Sequence, residues 1–148
     1  MVPVPVGSIL RYKGSGVWSV VPDASVFQAI SIMAEKSIGA LPVIADGKLV
    51  GIVSERDYAR KVILHSRSSK DTLVAEIMTT PVVSVGPKQT VEECMRLMTQ
   101  ERIRHLPVLE QGKVVGIVSI GDLVRTVITT QGEIIQRLQE YISGRPAV

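Results

Sequence analysis

Two short motifs hold the residues best suited to chemistry. Ser54-Glu-Arg-Asp57 and Ser119-Ile-Gly-Asp122 each place a hydroxyl three residues ahead of a carboxylate. A carboxylate can accept from two vicinal hydroxyls at once, and charge-assisted hydrogen bonds are the stronger kind. A helix starting just after either serine would offer free N–H groups and a partial positive charge to a phosphate. Arg56 lies inside the first motif, where arginine can add a bidentate fork. The same spacing is also that of a helix capping box, worth about 1 kcal/mol with no ligand present. On spacing alone the cap is the favoured reading, and one residue can serve both purposes. Arg104-His105 reads by itself as a solvated surface pair. Trp18 could stack on a planar base, although a lone aromatic in a strand is more often core, and the reading leans to core. His65 reads as a loop residue, and Arg67-Ser-Ser-Lys70 as a solvated linker. Glycines 47, 51, 112 and 116 serve turns and close packing; no phosphate-binding glycine loop is present.

The elements that carry these motifs occur twice. Leu41-Pro-Val-Ile-Ala-Asp-Gly-Lys-Leu-Val-Gly-Ile-Val-Ser-Glu-Arg-Asp57 returns as Leu106-Pro-Val-Leu-Glu-Gln-Gly-Lys-Val-Val-Gly-Ile-Val-Ser-Ile-Gly-Asp122, and 106 − 41 = 122 − 57 = 65. Pro22, Val26, Met33 and Ile38 map in the same register to Pro87, Val91, Met98 and Ile103. Two copies of one supersecondary unit are therefore expected. Each spans about 45 residues and buries too little alone to be comfortably stable, so the copies should pack together about a pseudo-two-fold axis.

Each copy reads β-α-β-β-α. Val17 to Val21 is a predicted strand. Ser25 with Gln28, and Thr90 with Glu93, predict capping boxes. Val26, Ala29, Ile30 and Met33 form one buried helix face, as do Val91, Cys94, Met95 and Met98. Asp46-Gly47 and Gln111-Gly112 predict two-residue hairpin turns. A second helix runs from Glu55 to about Leu64, with Tyr58, Ala59, Val62 and Ile63 on its apolar face; Leu123, Val124, Val127 and Ile128 repeat it. Residues 1–16 read as an arm in which Val6 to Leu10 is a short helical or extended piece and Gly14-Ser-Gly16 a flexible joint. The first repeat covers 17–64, a linker 65–81 with a short helix at Val74 to Met78, the second repeat 82–129, and a terminal helix and tail 130–148. Ile134, Ile135, Leu138, Tyr141 and Ile142 form a stripe that covers either the module or a partner chain.

Composition sets the outer limits. The chain has 148 residues, 45% of them apolar, which is enough for one compact domain or two small ones sharing a core. Its single cysteine, Cys94, excludes an intrachain disulfide or a cysteine-rich metal cluster and reads as a small buried hydrophobe. No signal peptide or membrane span is expected, and a reducing cytoplasm fits best. A net charge of +3 makes no case for nucleic acid, and no recognition motif supports it. No motif places a nucleophile beside a base, and no metal-ligand spacing appears, so neither an enzyme nor a metal site is expected.

The doubled unit, with Leu-Pro-Val followed by Gly-Lys-x-Val-Gly-Ile-Val-Ser-x-x-Asp, resembles a tandem CBS (cystathionine β-synthase) domain pair, or Bateman module, of the stand-alone bacterial type. The resemblance covers roughly residues 17–64 and 82–129. It implies an α/β (α+β) fold, two β-α-β-β-α repeats about a pseudo-two-fold axis, and no catalytic cofactor. It also implies adenosine-type ligands, namely AMP, ADP, ATP, NAD or S-adenosylmethionine, in clefts between the repeats, with occupancy passed to a dimer or partner. Asp57 and Asp122 would bind ribose hydroxyls, with Ser54 and Ser119 beside the ribose or phosphate, and Arg104 and His105 would meet phosphate, as would Arg56. Adenine would slot between apolar side chains and take hydrogen bonds from strand backbone; Val17, Trp18, Val82 and Pro107 complete the candidate ligand-binding set. Repeat one has Gly39-Ala40 where repeat two has Arg104-His105, so the clefts cannot be equivalent. A homodimer is expected. The alternative is a protein or nucleic-acid interaction module, which steeply salt-dependent binding of DNA or RNA would reveal.

Overall fold

The turn residues decide the hairpins. A two-residue turn that matches the right-handed twist of the strands needs φ > 0 at both positions. Asp46 and Gly47 adopt φ of 52° and 76°, and Gln111 and Gly112 adopt 51° and 78°. They join β1 (Ala40–Ala45) to β2 (Lys48–Ser54), and β3 (His105–Glu110) to β4 (Lys113–Ser119). Register is the same in both, with Val43 opposite Gly51 and Val108 opposite Gly116, and a bulge follows each valine. The computed structural model describes residues 3–13 and 16–143. Gly14 and Ser15 of the expected joint lie outside the described residues.

Around each hairpin stand the helices: α1 (Val6–Lys13), α2 (Val26–Lys36), α3 (Glu55–Lys61), α4 (Val74–Ile77), α5 (Val91–Glu101) and α6 (Ile120–Ile142). The chain is a mixed α/β fold with two two-stranded sheets, and β4 packs against β1 and β2, so the copies touch. Ser25 and Thr90 cap α2 and α5, accepting from the N–H groups of Gln28 and Glu93. At α2 only that half of the expected box forms. At α5 the reciprocal bond runs from the Thr90 hydroxyl to Glu93, at 3.1 Å.

Several expectations need correction. The strand at Val17 to Val21 reduces to one residue, Val20, bridged in parallel to Val43. Pro22 has no N–H to extend the ladder, and residues 16–18 turn aside to line a cavity. Trp18 is accordingly not core but 46% exposed. α3 stops at Lys61, and Ala59 and Ile63 are exposed. The second repeat's last helix and the terminal helix are one continuous helix, α6, and its apolar stripe does not cover the module: Ile135, Leu138 and Ile142 are exposed.

In the arm the helical alternative at Val6 to Leu10 holds, and the helix runs on to Lys13. α1 is a helix that buries Val6 and Ile9 in the second core, with Leu106, Val118 and Leu123. α4 does the same for the first core, through Val74 and Ile77. The N–H groups of Val6 and Gly7 donate to the Gln89 and Pro87 carbonyls, while those of Val74 and Ala75 donate to Ala24 and Pro22. Here 74 − 6 = 75 − 7 = 68, against 65 elsewhere, so a second, offset repeat is present. Each core is closed by the helix that precedes the other copy.

Candidate functional site

Both Ser-x-x-Asp motifs fold as capping boxes. The Asp57 N–H donates to Ser54 Oγ at 3.1 Å, and Asp57 Oδ2 accepts from the Ser54 N–H at 3.0 Å. Asp122 and Ser119 repeat this at 3.2 and 2.8 Å. Local chemistry alone would produce this geometry, because α3 and α6 start here and need their first N–H groups satisfied. The tertiary structure adds a cavity at each box.

The first cavity, about 550 Å³, is lined by Asp122, Ser119 and Arg125 of the second copy, by Val17, Trp18 and residues 36–40 of the first, and by Leu10 and Lys13 of α1. The second, about 780 Å³, is lined by Ser54, Glu55, Arg56, Asp57, Arg60 and Lys61 of the first copy, by residues 102–105 of the second, and by Thr79. Both volumes suit a drug-sized ligand. Each carboxylate thus faces the segment before the first strand of the other copy's hairpin, as a pseudo-two-fold axis requires.

His105 and Gly39 line both cavities and form the wall between them. A methyl group at position 39 would fall 3.0 Å from His105 Nε2 and 3.3 Å from Glu55 Oε1. The glycine therefore makes room for the histidine, which gives a physical reason for the mismatch between Gly39-Ala40 and Arg104-His105. Burial, reinforced by the positive charge of nearby Lys13, holds the His105 imidazole below its ordinary range, with Asp122 opposing.

The two carboxylates differ in their surroundings. Asp122 is 5% exposed; its Oδ2 also accepts from Lys13 Nζ at 2.7 Å, and its Oδ1 from Arg125 at 2.6 Å. Burial pushes its carboxyl up, but the Lys13 bond and charge and the Ser119 bonds outweigh this and hold it below the usual range. Asp57 Oδ2 takes the Ser54 hydroxyl at 3.0 Å, and Oδ1 has Lys61 at 3.1 Å and Thr79 Oγ1 at 3.3 Å. The ammonium of Lys36 lies over the Trp18 ring at 4.2 Å from its centre. In the second cavity Arg60, Arg102 and Arg104 form no ion pair among the described residues.

The structure therefore brings Asp122, Ser119, His105, Val17 and Trp18 to the first cavity, and Asp57, Ser54, Arg56, Arg104 and His105 to the second. Val82 and Pro107 line neither; Pro107 is buried, and its carbonyl accepts from the Val85 N–H. Sequence reasoning missed Lys13, Lys36, Arg125, Arg60, Lys61, Arg102 and Thr79. Arg60 and Arg125 were findable, because 125 − 60 = 65. Lys13 was findable only through the faint echo of Val6, Ile9 and Leu10 in Val74, Ile77 and Met78.

The CBS domain profile matches residues 11–64 and 74–129. A mitochondrial CBS domain-containing protein of Arabidopsis thaliana, CBSX3, is 44% identical over 136 residues, covering 88% of this chain; the chain spans 66% of that relative's length. Bacillus subtilis YhcV is 38% identical, over 72% of this chain and 76% of its own. Among solved structures, a CBS-domain protein of Burkholderia ambifaria superposes with a TM-score of 0.82 at 52% identity, covering 86% of this chain and 96% of that one. Among the described residues no helix is long and apolar enough to cross a membrane. Two profile matches, one per copy, and a fold shared over nearly the whole of a solved relative place the chain in the CBS domain family, as a tandem pair of the regulatory, signal-transduction type.

Proposed function

We propose that this tandem pair senses adenine nucleotides in the two inequivalent cavities and passes their occupancy to a dimer or a partner protein. One observation carries the reading. Each capping carboxylate stands in the wall of a cavity built from both copies, so a ligand held by it also holds the copies together. Asp57 would take ribose hydroxyls in the second cavity, while Arg56, Arg60, Arg102 and Arg104 offer guanidinium donors to a phosphate chain. In the first cavity Trp18 and Val17 present flat and apolar surface to a base. A micromolar ligand needs about 8 kcal/mol net, within reach of such a set.

Relay to a second copy is supported by α6. From Gln131 to Gln139 every residue is exposed, with Gly132 inside the helix. Isolated helical segments this short are marginal in water, so a second copy laid along the Ile128, Ile135, Leu138 and Ile142 stripe would stabilise it. The buried, unpaired Cys94 suits a reducing compartment such as the cytoplasm.

A thermal-shift series with AMP, ADP, ATP, NAD and S-adenosylmethionine tests the reading. A ligand at a hundredfold excess over its Kd adds about 2.7 kcal/mol. If none of the five moves the melting point, nucleotide sensing is refuted. Light scattering that shows a monomer at high concentration would refute the dimer.

A further inference from the structure

Lys13 sits where a ligand of the first cavity would have to go. Its ammonium donates to Asp122 Oδ2 at 2.7 Å and to the Ile117 carbonyl at 3.0 Å, and all three residues line that cavity. With the Ser119 N–H on Oδ2 and Arg125 on Oδ1, both carboxylate oxygens already have cationic partners. Arg125 is 73% exposed and can swing into water, whereas Lys13 is 37% exposed. Lys13 is also the last residue of a helix pinned in the second core by Val6 and Ile9.

In the second cavity α4 supplies no such cation; the lysine there is Lys61, from the same helix as Asp57, which lies 3.1 Å from Oδ1 and donates to the Ile77 carbonyl at 2.8 Å, leaving Oδ2 to the Ser54 N–H and hydroxyl. Leu10 and Met78 are equivalent under the 68-residue offset, packing on Gly116 and Gly51 respectively. Beyond that point α1 continues to Lys13 while α4 has already ended at Ile77. The edge of Ile52 is met there by the Thr79 backbone, through N–H to carbonyl bonds in both directions at 2.8 and 3.1 Å. Only the Thr79 hydroxyl, at 3.3 Å, and Lys61, itself 44% exposed, touch Asp57 Oδ1. The three helical residues of α1 beyond Leu10 thus place a second cation, on Oδ2, at the carboxylate of the first cavity, where Asp57 Oδ2 in the second has none.

We propose that Lys13 is an internal competitor for the first cavity: it holds the Asp122 carboxylate that a ribose would need, so the chain takes one nucleotide, in the second cavity, until Lys13 withdraws. This rests on the nucleotide reading above and says which cavity is open and what closes the other. A charged hydrogen bond of this kind, once removed, should improve binding in the first cavity by about tenfold or more.

Isothermal titration with AMP and with ADP is the test, on the full chain. Wild type should bind one nucleotide, and that binding should be lost in Asp57→Asn. Lys13→Met, which keeps the aliphatic stem, should bind two, and Lys13→Gln should agree. Two equal sites in wild type, or one site in both Lys13 variants, would overturn the competitor while leaving the nucleotide reading intact. No binding in any variant would overturn both. A readout without ligand comes from nitrogen-detected NMR of lysine ammonium groups. Lys13 should exchange slowly with water in wild type and quickly in Asp122→Asn; fast exchange in wild type would overturn the proposal.

Discussion

Replacing the two motif aspartates by alanine should separate them by stability. Either change removes a capping box, worth about 1 kcal/mol. At Asp57 the further loss is the pair with Lys61, which is 44% exposed and contributes at most about 1 kcal/mol. Asp57→Ala should therefore cost about 1–2 kcal/mol. Asp122 is 5% exposed and holds two cations, Lys13 at 2.7 Å and Arg125 at 2.6 Å. Arg125 is mostly in water and is discounted; Lys13 is 37% exposed, so its bond to the buried carboxylate, about 1.5–3 kcal/mol for a charged group, is discounted to about 1–2 kcal/mol. Asp122→Ala should cost about 2–3 kcal/mol. For a chain of this size each kcal/mol shifts Tm by roughly 2–4 °C, so the drops are about 2–8 °C and 4–12 °C, compared side by side under one set of conditions. Urea melts and calorimetry on ligand-free protein measure both. An Asp57→Ala loss equal to or larger than that of Asp122→Ala would refute the account of Lys13 and Asp122 as a tight internal pair.

Ile9→Ala should cost about 2–4 kcal/mol in urea melts, because Ile9 is 7% exposed within the second core; a loose arm would cost nothing. His105 is held below its ordinary value of 6.5, so between the two values the unfolded chain binds more protons. Stability should be fully present above about pH 6.5 and fall as the pH drops toward the folded value, and His105→Asn should flatten that slope in melts between pH 7.5 and 5. The Cys94 thiol is raised to about 11, by burial first and Glu93 second. Disulfide reagents at pH 8 should leave it unmodified in the native protein and label it within minutes in urea; rapid native labelling would contradict its burial.

What could be read in the residues alone was whatever depends on short-range chemistry. The 65-residue repeat, the turns at Asp46-Gly47 and Gln111-Gly112, the caps at Ser25 and Thr90, and the Ser-x-x-Asp boxes all follow from neighbours within a few positions, where φ > 0 or an unsatisfied N–H admits few side chains. The short strand at Val17 misled, because period and β-branching cannot show that the chain turns aside to line a cavity. At Val6 to Leu10 helix and extended chain could not be separated, because the apolar pattern is only two buried residues long and its partner α4 repeats it at 68 residues rather than 65.

The cavities belong to the tertiary structure. Whether Asp57 and Asp122 merely cap helices or also face a ligand depends on which copy's segment lies opposite, and that is fixed by β4 packing on β1 and β2. Lys13 and Asp122 are 109 residues apart. No periodicity links them; they meet because two leucine-sized side chains, Leu10 and Met78, find the same glycine-lined gap in opposite copies, and the helix that carries Leu10 runs three residues further.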